Sequence, residues 1–374
     1  MMTESDPILE GKEIEVKRGG TTILDIPSIT VQEGEILSLI GPNGAGKTTL
    51  LQTFSYLLKP FEGEIFFKGK QVGQNHSIIE YRRNLAVVFQ EPLLFDTTVF
   101  ENVASGLKIR GMSRSEIRER VMDHLERFGI SHLKGRSART LSGGEAQRTS
   151  LARAFAIQPE ILLLDEPFAS LDPPTRESLM EDLQRVLLQT NMTTLFATHD
   201  RLEALRLSDR IAVMNLGRIV QIGSPEEVMN RPIDEFVASF VGAETILTGK
   251  VTKEGYGTFV ASVSGKEIEA VGDTRIGEEV ILCIRPENVI LSSSSSKEMT
   301  SARNVFPGRI EKILSLGFYQ KVQLNCGFPL VAYVTHQSTE NLSLKEGKEM
   351  TASFKATAIH VIRRKIPSTP KRSA

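Results

Sequence analysis

The stretch Gly41-Pro42-Asn43-Gly44-Ala45-Gly46-Lys47-Thr48 decides the fold, because it fits the pattern G-x-x-x-x-G-K-[ST] of a phosphate-binding loop. Its glycines allow the backbone to turn tightly and to point its N–H groups at phosphate oxygens. The run 35–40 predicts a buried strand before the loop, and 48–58 predicts a helix after it that stops before Pro60. A phosphate would lie at the N-terminus of that helix, where free N–H groups and the helix dipole favour an anion.

Two side chains of the loop and two later carboxylates predict an ATP site with Mg²⁺. Lys47 can reach the β- and γ-phosphates, and the Thr48 hydroxyl can hold Mg²⁺. Asp165 and Glu166 follow the apolar run 161–164, where Asp165 is placed to hold Mg²⁺ and Glu166 to act as a general base. A glycine turn and an acidic strand end that bind nothing are the alternatives, and the coincidence of both motifs argues against them. The loop residues expected to bind ATP are Gly41, Pro42, Asn43, Gly44, Ala45, Gly46, Lys47, Thr48 and Thr49.

Length, charge and cysteine usage restrict the class of protein. The 374 residues exceed one ordinary domain of about 100–200 residues. A net charge of −1 gives no electrostatic case for nucleic acid. Cys283 and Cys326 fall in separate strand-like runs, so we expect buried free thiols in a reducing compartment. The acidic N-terminus has no apolar signal-peptide core and no apolar run approaches the roughly 20 residues of a membrane helix, so we expect a soluble cytosolic chain for which any membrane role must come through partners.

Residues 1–242 predict an α/β domain with a helical subdomain at about 91–140. Within the subdomain, 113–116 is a capping box and Gly129 is placed to end the helix that follows. The other predicted elements are strands at 14–31 with turns at Gly19-Gly20 and Pro27, strands at 63–72, 85–89, 161–164 and 194–197, a helix at 176–188 and a closing hairpin at 211–221.

Residues 243–374 predict a small all-β domain, barrel-like, because short strands alternate there with glycine turns. A weak internal repeat relates 276–291 to 346–362. The serine run 292–296 between the two copies predicts a flexible linker, and the basic residues at 363–365 and 371–372 predict a solvated tail.

The stretch Leu141-Ser142-Gly143-Gly144-Glu145-Ala146-Gln147-Arg148 is the most specific in the chain. It opens a helix predicted to run to about residue 158, with Ser142 as the N-cap. The string resembles the signature of ATP-binding cassette (ABC) ATPases, and the resemblance covers about residues 14–242. It implies a P-loop NTPase fold with a RecA-like core, an antiparallel β flank and a helical subdomain. It also implies that Ser142, Gly143 and Gly144 contact the γ-phosphate of a second copy, so that two chains enclose two ATP molecules.

Three further positions resemble motifs of that family, and one position departs from the family pattern. Gln90 resembles the glutamine that contacts Mg²⁺ and the water region, and His199 resembles the switch histidine that contacts the γ-phosphate. Asp172 resembles the aspartate that links the two active sites, although a helix cap is an alternative or additional role. Arg18 stands where the family usually has an aromatic residue that stacks on adenine, and we hypothesise that its planar guanidinium replaces that residue. The implied catalytic residues are Glu166, His199 and Gln90, and the implied Mg²⁺ ligands are Thr48, Gln90 and Asp165.

The second half of the chain resembles importer subunits of the family. The stretches 200–205, 208–211 and 223–225 are similar to importers, and Arg285-Pro286-Glu287-Asn288 resembles their regulatory β domain. The stretches 301–304, 344–348 and 354–357 resemble the molybdate-binding Mop-type (TOBE) module, which binds tetrahedral oxyanions. Side chains of the right donor type are Ser301, Arg303 and Lys345, and the alternative is that they only build a turn.

These resemblances imply an ATPase at the cytoplasmic face of the plasma membrane, where two copies drive an inner-membrane permease. The permease would dock on the helical subdomain and receive molybdate or tungstate from an external binding protein, while cytosolic oxyanion could bind the C-terminal module. An importer for sulfate, ferric iron, polyamine or sugar is the alternative. A second alternative is a soluble oxyanion-binding regulator whose ATPase activity is secondary.

Overall fold

The computed structural model describes residues 6–293 and 301–363. The chain divides into two compact units, Met1–Pro225 and Glu226–Ala374. The boundary expected at residue 242 stays a prediction. Parts of two sequence predictions lie outside the described residues, namely 294–296 of the serine run and the basic positions 364–365 and 371–372.

The first unit contains a six-stranded sheet, a four-stranded sheet and the helices that cover them. Its strands are β1 (Leu9–Arg18), β2 (Thr21–Val31), β3 (Ile36–Ile40), β4 (Glu62–Phe67), β5 (Lys70–Gln71), β6 (Leu85–Val88), β7 (Ile161–Asp165), β8 (Thr193–Thr198), β9 (Arg210–Asn215) and β10 (Arg218–Gly223). Its helices are α1 (Lys47–Phe54), α2 (Ile78–Arg83), α3 (Val99–Ile109), α4 (Arg114–Arg127), α5 (Gly143–Ala156), α6 (Pro173–Thr190) and α7 (Arg201–Leu207).

The six-stranded sheet brings distant parts of the chain to one edge. Its strand order is β10-β9-β3-β8-β7-β6, and all neighbours except β10 and β9 are parallel. Strands β7 and β8 are buried along their whole length, as expected for parallel strands covered on both faces. Because parallel strands end at the same edge, the residues after β3, β6, β7 and β8 gather there, which is where α/β sheets bind ligands.

Hydrophobic cores lie on both faces of this sheet. One core packs α3, α4, α5 and α6 against it, and the other packs α1 and the four-stranded sheet. The capping box of α4 is confirmed, since Ser113 and Glu116 bond each other's backbone N–H groups, and Gly129 follows the helix with φ +69°. Among the described residues, no helix combines the length and apolar character needed to cross a bilayer.

The position of Pro27 and the end of helix α1 differ from their predictions. Pro27 does not make a turn but lies inside β2, which is tolerated because β2 is the edge strand of its sheet. Helix α1 ends at Phe54 rather than 58, because Tyr56 adopts φ +56° and the N–H of Leu58 turns back to the carbonyl of Gln52 at 3.0 Å.

The second unit contains two five-stranded antiparallel sheets with the strand orders β13-β12-β11-β14-β20 and β15-β19-β16-β17-β18. Both sheets contribute to one hydrophobic core. The strands are β11 (Thr245–Glu254), β12 (Thr258–Val263), β13 (Lys266–Val271), β14 (Glu279–Ile284), β15 (Ile290–Ser292), β16 (Asn304–Ser315), β17 (Tyr319–Asn325), β18 (Pro329–Thr335), β19 (Glu349–Phe354) and β20 (Ile359–Arg363). The helices that begin at or after Pro225 are α8 (Pro225–Asn230), α9 (Glu235–Phe240) and α10 (His336–Asn341).

The weak sequence repeat corresponds to a repeated strand pattern. Each copy consists of a longer strand, a 3₁₀ turn and a short strand, which are β14 and β15 in the first copy and β19 and β20 in the second. The short strand of each copy pairs with the long strand of the other, β15 with β19 and β20 with β14. Both cysteines are buried free thiols, as predicted.

Candidate functional site

The glycine-rich loop after β3 presses against strand β9 on one side and is open on the other. A Cβ atom on Gly41 would lie 2.3 Å from the carbonyl oxygen of Met214, so only glycine fits there. A Cβ atom on Gly44 would meet nothing within 4 Å. Gly46 adopts φ +102° as the N-cap of α1, a conformation that favours glycine, and the free N–H groups of the first turn of α1 follow it directly.

The Lys47 ammonium lies under this loop with only 5% of its surface exposed. Its Nζ donates to the carbonyl oxygens of Gly41 at 2.9 Å and Pro42 at 3.3 Å, and lies 3.5 Å from Oε1 of Glu166. A buried ammonium needs such partners. The loop thus holds a fixed positive charge beside its open face, which suits a phosphate.

Thr48 and Asp165 form an oxygen-rich pair next to the lysine. The Thr48 hydroxyl donates to Oδ1 of Asp165 at 2.9 Å. Burial raises the pKa of the Asp165 carboxyl and the Glu166 charge adds to this, while the Thr48 hydrogen bond and Lys47 act in the opposite direction. Hard oxygen ligands of this kind fit Mg²⁺. Within residues 6–293 and 301–363 no cluster of three or more His, Cys, Asp or Glu side chains could hold a metal, so the pair would supply only part of a Mg²⁺ shell.

The Glu166 carboxylate lies between a lysine and a histidine. Its Oε2 is 2.5 Å from Nδ1 of His199, and its Oε1 faces Lys47. Glu166 adopts φ +46°, an uncommon conformation for a residue with a side chain, and its N–H donates to the carbonyl of Ala197 at 2.9 Å. Strained backbone of this kind often occurs at functional sites. The carboxylate is thereby fixed at the sheet edge, next to the open loop.

The structure therefore brings together five of the predicted site residues, from the ends of three strands. Gln90 follows β6 at the same sheet edge and is exposed. Arg18 is exposed at the end of β1. Neither side chain has a hydrogen bond or ion pair within the described part of the chain, so the structure does not join them to the cluster. The five joined residues are Lys47, Thr48, Asp165, Glu166 and His199.

Comparison with known proteins identifies the family. A family model for ABC transporters matches residues 24–169, and a model for the TOBE domain matches residues 300–361. The molybdate/tungstate import ATP-binding protein of Pyrococcus horikoshii is 40% identical to this chain, over 89% of this chain and 94% of that protein. The chain belongs to the ABC transporter family. It is an import ATP-binding subunit, an ATPase coupled to import, so the resemblance drawn from residues 141–148 and the predicted fold class are confirmed.

Relatives with other names are almost as similar to this import subunit. The spermidine/putrescine import ATP-binding protein of Legionella pneumophila (strain Paris) is 39% identical, over 86% of this chain and 88% of that protein. Among solved structures, cbiO1 from Clostridium perfringens, described as part of the ABC transporter complex cbiONQ, aligns with a TM-score of 0.56. That structure is 34% identical and the alignment covers 63% of this chain and 95% of that chain.

The signature stretch of this import subunit begins helix α5. The Ser142 N–H donates to Oε2 of Glu145 at 2.7 Å, and the Glu145 N–H donates to the Ser142 hydroxyl at 3.3 Å. Ser142 and Gly143 are exposed, whereas a Cβ atom on Gly144 would lie 2.4 Å from Cγ2 of Thr175. Gly144 therefore allows α5 and α6 to approach closely, and the two residues before it remain accessible.

Asp172 occupies the N-cap of α6, which begins at Pro173, three residues earlier than the predicted start at residue 176. Its Oδ1 accepts the Thr175 N–H at 3.2 Å, and Pro173 follows as the first helical residue. The capping role is therefore present in the structure. The Asp172 side chain is also exposed, so contact with a second copy is compatible with it.

The three oxyanion candidates are not assembled. Ser301 and Arg303 are exposed before β16, and Lys345 is exposed in the turn before β19. Among the residues that the structure describes, no hydrogen bond or ion pair joins any two of them. Ser301 lines a cavity of about 420 Å³, which neither Arg303 nor Lys345 lines.

Sequence reasoning missed the residues that surround His199. Arg176, Thr198 and Glu203 form a network of hydrogen bonds behind the histidine, and Glu203 is almost completely buried. Glu203 belongs to a stretch that was noted only as typical of importers. A carboxylate on the apolar face of a short helix was the available signal, because such a group needs a cationic partner when buried.

Proposed function

We propose that the cluster of Lys47, Thr48, Asp165, Glu166 and His199 hydrolyses ATP and that hydrolysis drives the import of molybdate or tungstate. The observation that carries the catalytic part is the placement of Glu166, whose carboxylate is held between the Lys47 ammonium and the His199 ring. No other described carboxylate meets a lysine and a histidine in this way beside the phosphate loop.

In this proposal the loop and Lys47 hold the phosphates of ATP. Phosphate oxygens replace the carbonyl oxygens of Gly41 and Pro42 as acceptors for the lysine. Thr48 and Asp165 would hold Mg²⁺, with Gln90 as a further ligand, and the ion when bound neutralises charge on the phosphoryl group. Thr49 lies in the first turn of α1 next to these phosphates.

Glu166 accepts a proton from the attacking water. The water oxygen forms a bond to the γ-phosphorus while the bond to the ADP oxygen breaks, and the proton passes to the carboxylate. His199 orients that carboxylate through the contact at 2.5 Å and donates to the γ-phosphate. The short distance favours a single geometry for the pair before ATP arrives.

A second copy of the chain completes each site in this proposal. The exposure of Ser142, Gly143 and Asp172 supports contact with nucleotide held by the partner. Free N–H groups at the start of α5 suit an anion, although the capping box satisfies part of them. Two ATP molecules would then lie between two copies.

Replacement of Glu166 by glutamine tests the catalytic part. Glu166→Gln should lower kcat for ATP by about 10²–10⁴ and should leave a dimer with ATP bound, because the amide cannot accept the proton. Hydrolysis rates and gel filtration with ATP measure both effects. Glu177→Gln on the exposed face of α6 is a matched control that should keep its rate. Wild-type hydrolysis by Glu166→Gln would remove the proposed base.

The cargo proposal rests on the relative from Pyrococcus horikoshii, whose name specifies molybdate and tungstate. In this proposal Ser301, Arg303 and Lys345, which lie within the residues matched by the TOBE model, bind oxyanion. In this proposal the subunit works at the cytoplasmic face of the membrane, with permease subunits docked near α3 and α4 and an external binding protein that delivers the oxyanion.

Polyamine import is the second candidate, because the spermidine/putrescine relative is 39% identical. Isothermal titration of the full chain with molybdate, tungstate, sulfate and spermidine separates the candidates. Selective binding of molybdate and tungstate supports the first. Binding of spermidine without the anions supports the second candidate. Arginine and lysine side chains repel a polycation, so spermidine would have to occupy a site other than the one assigned to oxyanion.

A further inference from the structure

Arg176 in the first turns of α6 binds two carboxylates next to His199. Its Nε donates to Oε1 of Glu203 at 2.9 Å, and its Nη2 donates to Oδ2 of Asp200 at 2.7 Å and also to Glu203. Only 2% of Glu203 is exposed, whereas 31% of the Arg176 side chain is exposed. One guanidinium thus compensates a buried charge and fixes a second carboxylate, a task for which its fork of donors is suited.

Thr198 transmits this arrangement to the backbone around His199. The Thr198 hydroxyl donates to Oε2 of Glu203, and the hydroxyl oxygen of Thr198 accepts the N–H of Asp200 at 3.0 Å. These contacts close a turn with His199 at its centre. Asp200 also accepts the N–H of Leu202 at 2.7 Å and so starts helix α7. Arg176 therefore holds the residues on both sides of His199, since it binds Asp200 directly and Thr198 through Glu203.

The His199 ring depends on that backbone for its orientation. Half of the ring is exposed, and within the described residues its hydrogen-bond partner is Glu166. A ring with one partner keeps its position only while its own Cα stays in place. A change of about 1 Å in such a position is enough to cost up to roughly 10² in rate.

We propose that Arg176 is a positioning residue for His199, which it aligns with Glu166 by holding Asp200 and Glu203. This inference rests on the proposed function, in which His199 and Glu166 act on ATP. Burial raises the pKa of Glu203, opposed by Arg176 and Thr198, so loss of the guanidinium favours protonation of the carboxyl or its movement toward water. Either change alters the bond to Thr198 and loosens the turn.

The same residue connects His199 to the segment expected to face a second copy. The Arg176 N–H donates to the Asp172 carbonyl at 2.9 Å, so both residues belong to the first turns of one helix. A second copy that contacts Asp172 would therefore act on the helix end that holds the histidine. Through Arg176, contact between the two copies would therefore affect the position of His199.

Steady-state ATP hydrolysis by the full chain tests the proposal with Arg176→Met, which keeps the length of the side chain and removes its charge. We expect kcat to fall by about tenfold with KM for ATP changed less than about twofold, because the lost interaction aligns a group for the reaction. Arg176→Lys should recover part of the rate, because one ammonium reaches one of the two carboxylates.

Arg206→Met is the matched control. Arg206 also joins α7 to α6, through Glu177 and through Oε1 of Gln184 at 3.3 Å, and 32% of its side chain is exposed. It touches neither Asp200 nor Glu203. Its substitution should leave kcat within about twofold of wild type. A tenfold loss in Arg206→Met would show that any cross-link between these helices matters, and would overturn the specific role of Arg176.

A double-mutant cycle separates positioning from general stability. In a His199→Ala background, Arg176→Met should cost less than about twofold in kcat, because the ring it positions is gone. Thermal unfolding should show the same loss of Tm in both backgrounds. An equal tenfold cost with and without His199, or wild-type activity of Arg176→Met, would overturn the proposal. If His199→Ala alone hydrolyses ATP like wild type, the proposed function of His199 fails and the inference fails with it.

Discussion

The ATP cluster and the three oxyanion candidates differ in how far they are assembled before a ligand arrives. Lys47 is buried and meets Glu166, and Thr48 meets Asp165. Lys345 and its companions Ser301 and Arg303 are exposed and unconnected. Parallel strands end at one edge, so residues more than a hundred positions apart are brought together there, whereas the loops of the antiparallel unit do not converge. The difference teaches that the ATP site is preorganised by its sheet. In the second unit, the antiparallel pairing of β16 with β19 places Ser301 and Arg303 beside the end of β19 and Lys345 before its start, so the sheet does not bring the three side chains together.

The two lysines give the strongest test of this difference. Lys47→Ala should lower kcat for ATP by about 10²–10³, because a fixed charge in a buried site stabilises the transition state. Lys345→Ala should leave that rate within about twofold, because its exposed ammonium lies in the other unit. Steady-state ATP hydrolysis by the two purified variants measures kcat for each. A similar loss of kcat in both would contradict the difference between the two sites.

The oxyanion residues should give an intermediate effect on another measurement. The triple variant Ser301→Ala, Arg303→Ala, Lys345→Ala should weaken molybdate binding by at least about 10- to 100-fold, since the loss of one hydrogen bond from a charged group already costs about 1.5–3 kcal/mol. Its ATP affinity should not change. Titration calorimetry measures both ligands. Undiminished molybdate binding would mean that these side chains only build the turn.

Asp172 is exposed like the oxyanion candidates, yet its side chain is hydrogen-bonded like those of the ATP cluster. Asp172→Ala should destabilise the chain by about 0.5–2 kcal/mol through loss of the α6 cap. Asp172→Asn keeps an acceptor for the cap and should retain stability. If the asparagine variant nevertheless loses ATP-dependent dimerisation, the charge serves the second copy. Equal dimerisation in wild type and Asp172→Asn would restrict Asp172 to capping. Urea unfolding and gel filtration supply the two readings.

Arg18 should give the smallest effect, because it is exposed although it is assigned to the ATP site. A guanidinium stacked on adenine contributes about 0.5–1 kcal/mol at such a position, so Arg18→Ala should weaken ATP binding by roughly two- to fivefold. Binding of a fluorescent ATP analogue measures the change, with Lys12→Ala on the same strand as the control. Unchanged affinity would remove Arg18 from the site.

Much of the ATP site was predictable because its signals are local. The glycine pattern at 41–48 and the apolar run before Asp165 each define a strand end, and strand ends of one parallel sheet meet without further information. The partners of His199 were not predictable, because Arg176 and Glu203 are joined only by the packing of α6 on α7. The interior position of Pro27 depended on β2 being an edge strand, which is a property of the whole sheet. The early end of α1 depended on the left-handed conformation of Tyr56.

The exchange of short strands between the two repeat copies makes the second unit an interlocked body. Strand β20 near the end of the chain pairs with β14, and β15 pairs with β19. The TOBE match begins at residue 300, so an excised fragment with that boundary would lose β14, which pairs with β20, and β15, which is one of the two strands that pair with β19. A chain that ends at the same residue would leave one edge of β14 unpaired and β15 without a neighbouring strand. Unpaired strand edges favour aggregation. We therefore expect the second unit to unfold as one cooperative body, so point substitutions test its functions more directly than fragments do.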